Sequence, residues 1–194
     1  GRSRIRNLLA REASHDYLLF LDCDSQVPDA SYLQRYAEAL SPERLLYGGR
    51  IYQPQAPEHQ ALMLHWRYGS VREARPAEER QRQPYHSFMT NNFLIPRKLF
   101  YPIGFDERLS QYGHEDTLFG MELAARGIQI VHLENPLIHA GLEPAAVFLR
   151  KSRQALENLA FLHHQGTSID TRLLRWALRL QGRPSEVLLR VFWD

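Results

Sequence analysis

Asp22 and Asp24 close the run YLLFLDCDS with one residue between them. Two like charges beside apolar chain are costly unless water or a positive group compensates them. The triplet has two readings: a strand that ends in a solvated turn, where aspartate is favoured, or a carboxylate pair that holds a cation. Side chains alternate along extended backbone, so positions 22 and 24 are expected to point the same way, with Cys23 opposite. Such a pair suits Mg²⁺ or Mn²⁺, which leave positions open for phosphate oxygens. A second pair, Glu115 and Asp116 in YGHEDTLFGMELAARG, stands where a helix begins. Acidic residues cap helices there, and the helix dipole also keeps a carboxylate ionised, able to accept a proton from an incoming hydroxyl. Gly113 just upstream would let a substrate approach the backbone closely. His139, in NPLIHAG, is one of nine histidines. Structural histidines are common; beside carboxylates and phosphate, an imidazole favours Mn²⁺.

The elements that must position these groups can be read from apolar periodicity. Residues 4–13 place Ile5, Leu8, Leu9 and Ala13 on one helical face, so IRNLLAREA reads as an amphipathic helix. YLLFLD follows as a strand whose near-continuous apolar character fits cover on both faces. A helix is expected over 30–40 after Pro28-Asp29, a strand in LLYGGRIYQ, and a helix over 57–68. The charged stretch VREARPAEERQRQP, from Val71 to Pro84, lacks periodicity and reads as a mobile surface loop. NNFLIP is a strand and PRKLF a helical turn. TLFGMELAARG is a helix closed by Gly127, and IQIVHL and PLIH are short strands. From Pro144 onward the pattern is helical, broken at Gly166 and at Gly182-Arg183-Pro184. Alternating strands and helices through residue 140 indicate an open α/β sheet, with ligands beyond the carboxyl ends of its strands.

A chain of 194 residues with 44% hydrophobic content can bury a sizeable core. No apolar run approaches the ~20 residues that span a bilayer, and no signal-peptide pattern opens the sequence, so a cytoplasmic setting is expected. The single cysteine excludes an internal disulfide framework or a cysteine-based zinc site. A net charge of +2 gives no indication of nucleic acid. Lys98 and Lys151 are the only lysines, so arginine, whose planar fork suits phosphate and carboxylate, carries nearly all the positive charge.

Taken in order, GRSRIRNLLAREA, DYLLFLDCDS, GGRI, TNNFLIPR, GFDERLSQYGHEDTLFG and NPLIHAG resemble the later two-thirds of a family 2 glycosyltransferase with the GT-A fold. The likeness covers roughly residues 1–150. It implies a GT-A-like open mixed sheet flanked by helices, with a partial catalytic domain over 1–143 and a helical extension over 144–194. It further implies a metal-dependent, inverting transfer of sugar from a nucleotide-sugar donor to a glycan or lipid-linked acceptor. Under the resemblance Asp22 and Asp24 form the DxD motif, engaging the ribose and the metal-bound diphosphate. Asp24, with Asp22 and His139, would hold Mn²⁺ or Mg²⁺. Asp116 would be the base, next to Glu115. Arg6 and Asn7 would lie near the donor, and Asn92 and Arg97 in the block lining the sugar site.

Members of that family open with strand and helix units that hold the nucleotide base, and none of the present blocks matches them. A hydrophobic strand over 17–22 with an unpaired edge is an aggregation liability, so it is expected to be covered by a preceding segment or by a second copy in a homodimer. Two rivals stand beside the transferase. One is a phosphohydrolase of the haloacid dehalogenase type, which also opens with an apolar strand and Asp-x-Asp; Ser25, Gln26 and the scarcity of lysine speak against it. The other is a noncatalytic scaffold half-domain. The apolar stripes and arginines of FLRKSRQALENLAFL and LLRWALRL fit packing on the sheet or contact with the inner face of a membrane.

Overall fold

The computed structural model describes residues 1–109, 112–167, 169 and 171–180. It comprises two compact units, 1–158 and 159–194. The first is an α/β unit built on a mixed, open sheet. Strands β1 (Tyr17–Leu21), β3 (Arg44–Tyr47), β5 (Asn92–Pro96) and β6 (Gln129–His132) form this sheet in the order β1-β5-β3-β6. β5 runs antiparallel to both neighbours and β3 parallel to β6. The carboxyl ends of β1, β3 and β6 and the amino end of β5 therefore lie along one edge.

Continuous apolar runs form these strands because both faces of the sheet are covered. On one face Leu18, Leu45, Tyr47, Phe93, Ile95 and Ile130 pack with Phe100, Phe105, Phe119 and Leu123. On the other, Leu46 and Leu94 pack with Tyr32 and Tyr36 of helix α2 (Tyr32–Glu38). The first face is largely aromatic: Phe20 stacks on Phe93 with centroids 4.5 Å apart, and Phe105 on Phe119 at 4.7 Å. Double cover holds fully for β3 and β5. β1, one of the two outer strands, is less covered than its sequence suggests, with Leu21 exposed.

A second sheet, β2-β7-β4, lies past that edge, made of β2 (Ser25–Gln26), β7 (Leu137–His139) and β4 (Arg50–Ile51). The chain steps from the first sheet to the second three times, through residues 22–24, 48–49 and 133–136. Asn92, wholly buried, fastens this seam. Its Oδ1 accepts from the hydroxyls of Tyr32 and Tyr36 at 2.6 and 2.7 Å, and its Nδ2 donates to the carbonyls of Gly49 and Asn135 at 2.8 and 2.9 Å. Gly48 is required here, because a Cβ would fall 2.4 Å from the Asn135 carbonyl.

Two local expectations need correction. Helix α1 (Arg2–Glu12) turns its polar face inward: Ser3 and Ala10 are buried, while Ile5, Leu8 and Leu9 are exposed. Asn7 explains the orientation, since its Oδ1 accepts from the Phe105 N–H at 2.8 Å and its Nδ2 donates to the Phe105 carbonyl and to Glu107. The charged stretch from Val71 to Pro84 is docked, not mobile. Helix α3 (Met63–Tyr68) continues into a wide helical turn over Gly69–Glu73, and α4 (Ala77–Gln81) follows. Arg80 anchors α4. Its side chain is buried and donates to the carbonyls of Gly48 and Leu133 at 3.1 and 2.9 Å, with its guanidinium over the Tyr47 ring. Arg80→Met should therefore lower the urea-unfolding free energy by about 2–4 kcal/mol, because buried carbonyls lose a charged donor. An unchanged midpoint would show that the anchor is dispensable.

Helix α6 (Glu115–Ala125) ends as its sequence indicates. Gly127 is left-handed at φ +67°, its N–H reaching the Ala124 carbonyl while the Ile128 N–H reaches that of Leu123. Helix α7 (Ala145–His164) ends before Gly166, also left-handed, and α8 spans Arg172–Leu180. The expected break at 182–184 lies outside the described residues.

Candidate functional site

The carboxyl edge of the first sheet holds a cavity of about 280 Å³, lined by residues that include Arg6, Asp22, Arg50, Glu73, Asn91 and Asp116. Asp22 enters it directly off β1. The chain from 22 to 24 is a turn, closed by the Ser25 N–H donating to the Asp22 carbonyl at 3.2 Å. The strand alternation expected to aim both carboxylates at one point therefore stops at Leu21, and the two aspartates make separate contacts.

Asp22 is clamped by two guanidiniums, Oδ1 accepting from Arg6 Nη2 at 3.1 Å and Oδ2 from Arg50 Nη2 at 3.4 Å. Each arginine reaches a further acid: Arg6 Nη1 lies 3.4 Å from Glu115 Oε1, and Arg50 Nη1 lies 3.0 Å from Glu73 Oε2. Arg6 thus ties the end of β1 to the start of α6, residues far apart in the chain. This explains why α1 presents its polar face.

Glu115 is buried and accepts from the Gly113 N–H at 3.2 Å. Its neighbour Asp116, in the first turn of α6, has Oδ1 accepting from the Thr117 N–H at 2.8 Å. Asp116 retains partial exposure toward the cavity, yet desolvation, followed by the Glu115 charge, raises its carboxyl from an ordinary 3.8 to about 6. The helix-end effect expected to favour ionisation is outweighed by burial. The residue before this helix, His114, holds a left-handed φ of 70°, uncommon for a non-glycine side chain. Gly113 is left-handed as well, and a Cβ there would fall 2.6 Å from the Cβ of Ala155. The close approach seen at this glycine is to α7, and its backbone also lines the cavity.

Asp24 faces the second sheet. Ser25 pairs with His139, and the Ala140 N–H donates to the Asp24 carbonyl at 2.8 Å, which brings Asp24 beside the His139 ring. Nδ1 of His139 is 3.6 Å from Asp24 Oδ1, beyond hydrogen-bonding distance, and neither buried ring nitrogen has a partner. The rings of Tyr52 and His65 each lie 5.3 Å from His139. Burial first, and then the Arg50 charge, lower the His139 pKa, so the imidazole is neutral near pH 7. A buried neutral imidazole with two unpartnered nitrogens, facing a carboxylate, fits a divalent cation. Among the described residues, no group of three or more His, Cys, Asp or Glu side chains is poised to hold one. Mg²⁺ and Mn²⁺ tolerate so few protein ligands, because water and phosphate oxygens complete their coordination. His65 is poorly suited to join: its Nδ1 accepts from the Glu143 N–H at 3.0 Å, so in the neutral ring Nε2 carries the proton.

The remaining sequence candidates lie elsewhere. Asn92 is engaged in the seam and Asn7 in holding α1, and neither lines the cavity. Arg97, on α5 (Arg97–Phe100), follows Pro96, which pairs with Tyr17 at the far end of β1 from Asp22. There its Nε donates to the Tyr101 hydroxyl at 2.6 Å. Conversely, Arg50 and Glu73 line the cavity without being singled out by the sequence as site residues. Arg50 had a signal, an arginine immediately after Gly48-Gly49 at a strand end; Glu73 was hidden in the charged stretch. No family model matches the chain, and no curated protein matches it.

Proposed function

We propose that this chain carries the metal- and acceptor-binding part of an inverting glycosyltransferase of the GT-A type, moving sugar from a nucleotide-sugar to a hydroxyl of a glycan or lipid-linked acceptor. The observation that carries the reading is the meeting of the Asp22 turn and the Glu115–Asp116 helix start around one cavity, tied by Arg6. In its favour also stand the parallel β1, β3 and β6 with antiparallel β5, and the small second sheet beyond them.

In this mechanism Asp116 accepts the proton of the acceptor hydroxyl as oxygen bonds to the anomeric carbon and the bond to diphosphate breaks on the opposite face. A carboxyl half-protonated near pH 6 is ionised at neutral pH and basic enough for that task. Asp22 is held in one orientation by Arg6 and Arg50, with accepting capacity left for a ribose hydroxyl. A diphosphate bound beside Asp22 would also meet these two arginines, whose positive charge would favour its departure. Asp24 and His139 would hold Mn²⁺ or Mg²⁺, which as a Lewis acid favours departure of the diphosphate. The outer edge of β1, where Leu21 is exposed, and the exposed Ile5, Leu8 and Leu9 of α1 offer apolar surface to a covering element. Phosphohydrolase chemistry is not favoured: an Asp22 carboxylate engaged by two guanidiniums makes a poor nucleophile.

Thermal unfolding with a panel of nucleoside diphosphates tests the reading. One of them together with Mn²⁺ should raise Tm by about 5–11 °C at a hundredfold excess over Kd, with little effect of either alone. No shift with any nucleotide and either metal would overturn it.

A further inference from the structure

We propose that α8 is a docking surface for an anionic lipid bilayer. The helix RLLRWALRL has three arginines and no acid in nine residues. At about 100° per residue, Arg172, Arg175 and Arg179 fall within an arc of about 60°, and the apolar residues occupy the rest of the wheel. Thr171 fixes the helix start, its Oγ1 accepting from the Leu174 N–H at 3.1 Å. All three arginines are exposed, and so are Leu173, Trp176 and Leu178.

Trp176 lies on the wheel between the arginine arc and Leu173. An exposed tryptophan at such a boundary suits the headgroup level of a membrane, where its ring is half in hydrocarbon and half in water. The charge is complementary to anionic lipid, and the exposed leucines and tryptophan supply the apolar part that a purely ionic partner would not need. Among the described residues no helix is long and apolar enough to cross a membrane, so contact would be with the surface. The inference does not depend on the glycosyltransferase reading, and its test involves no nucleotide or metal.

The full chain is mixed with large vesicles of phosphatidylcholine, or of phosphatidylcholine with about one-third phosphatidylglycerol, and sedimented. Partition to the anionic vesicles should exceed that to neutral ones by at least about tenfold, and most of the excess should vanish at about 0.5 M salt. Arg172→Gln/Arg179→Gln, and separately Trp176→Ser, should each lower partition by about tenfold. As a measurement that leaves α8 unaltered, the Trp66→Phe/Trp193→Phe variant should show a blue shift of Trp176 emission on anionic vesicles. Equal partition to both vesicle types, variants that bind like the parent, or the same blue shift with soluble polyglutamate would each overturn the proposal. The last result would identify an acidic polymer or protein as the occupant.

Discussion

Asp116→Asn should reduce sugar transfer by about 10²- to 10⁴-fold, the range over which general-base assistance acts, while leaving nucleotide binding nearly intact. The same substitution should make the protein more stable. Burial and Glu115 raise the Asp116 carboxyl from 3.8 to about 6. Between those two pH values the folded protein binds a proton that the unfolded chain has lost, so stability falls as pH rises through the interval and levels off above it. An amide carries no charge to desolvate, and its oxygen can still accept from the Thr117 N–H. The variant should therefore gain up to about 3 kcal/mol over the parent at pH 7, a gain that disappears below about pH 4. The parent's kcat/KM should decline below about pH 6, since only the ionised carboxylate can take the acceptor proton. Rate profiles and urea titrations of both proteins at several pH values test the two sides separately. Transfer lost with stability unchanged would place the effect in catalysis without a buried charge. Transfer retained would remove Asp116 as the base.

Much of the architecture is legible because double burial writes continuous apolar runs: YLLFL, RLLY and NFLIP each feed alternate side chains to two covered faces. Gly127 is legible for a similar reason, since a left-handed helix end asks for glycine. The misread parts are those where a polar partner, distant in sequence, outweighs local pattern. α1 carries an apolar stripe that predicts one orientation, but Arg6 and Asn7 find acids and backbone on residues 105–115, and those bonds rotate the helix the other way. VREARPAEERQRQP looks solvated by composition. One buried guanidinium among its charges, that of Arg80, decides its position, and composition cannot say which arginine that is. Within the candidate site, the Asp-x-Asp and Glu-Asp pairs are visible as motifs, whereas the cations between them are not. Arg50 and Arg6 compensate Asp22, so one of the two anions that seemed to require a metal is already neutralised by protein.

That division of labour makes Asp24, not Asp22, the residue on which cation binding should depend. Asp24→Asn should weaken Mn²⁺-supported nucleoside diphosphate binding by at least about tenfold in calorimetry, because a carboxylate is exchanged for a neutral amide opposite an imidazole. The side chain is 43% exposed, so the substitution should leave the unfolding midpoint almost unchanged. Gly141 offers a second route to the same effect. A Cβ at position 141 would lie 2.3 Å from Asp24 Oδ2, so Gly141→Ala must push the carboxylate away from its present position while keeping its charge. A displaced ligand should cost about 10- to 100-fold in affinity. If both substitutions act through Asp24, they cannot add: the double variant should bind no more weakly than Asp24→Asn alone. Full additivity would mean that Gly141 supports binding by another path. Unchanged affinity in the Asp24→Asn variant would remove the cation from this edge of the sheet, leaving a departing diphosphate to arginines such as Arg2, Arg6 and Arg50 that line the cavity.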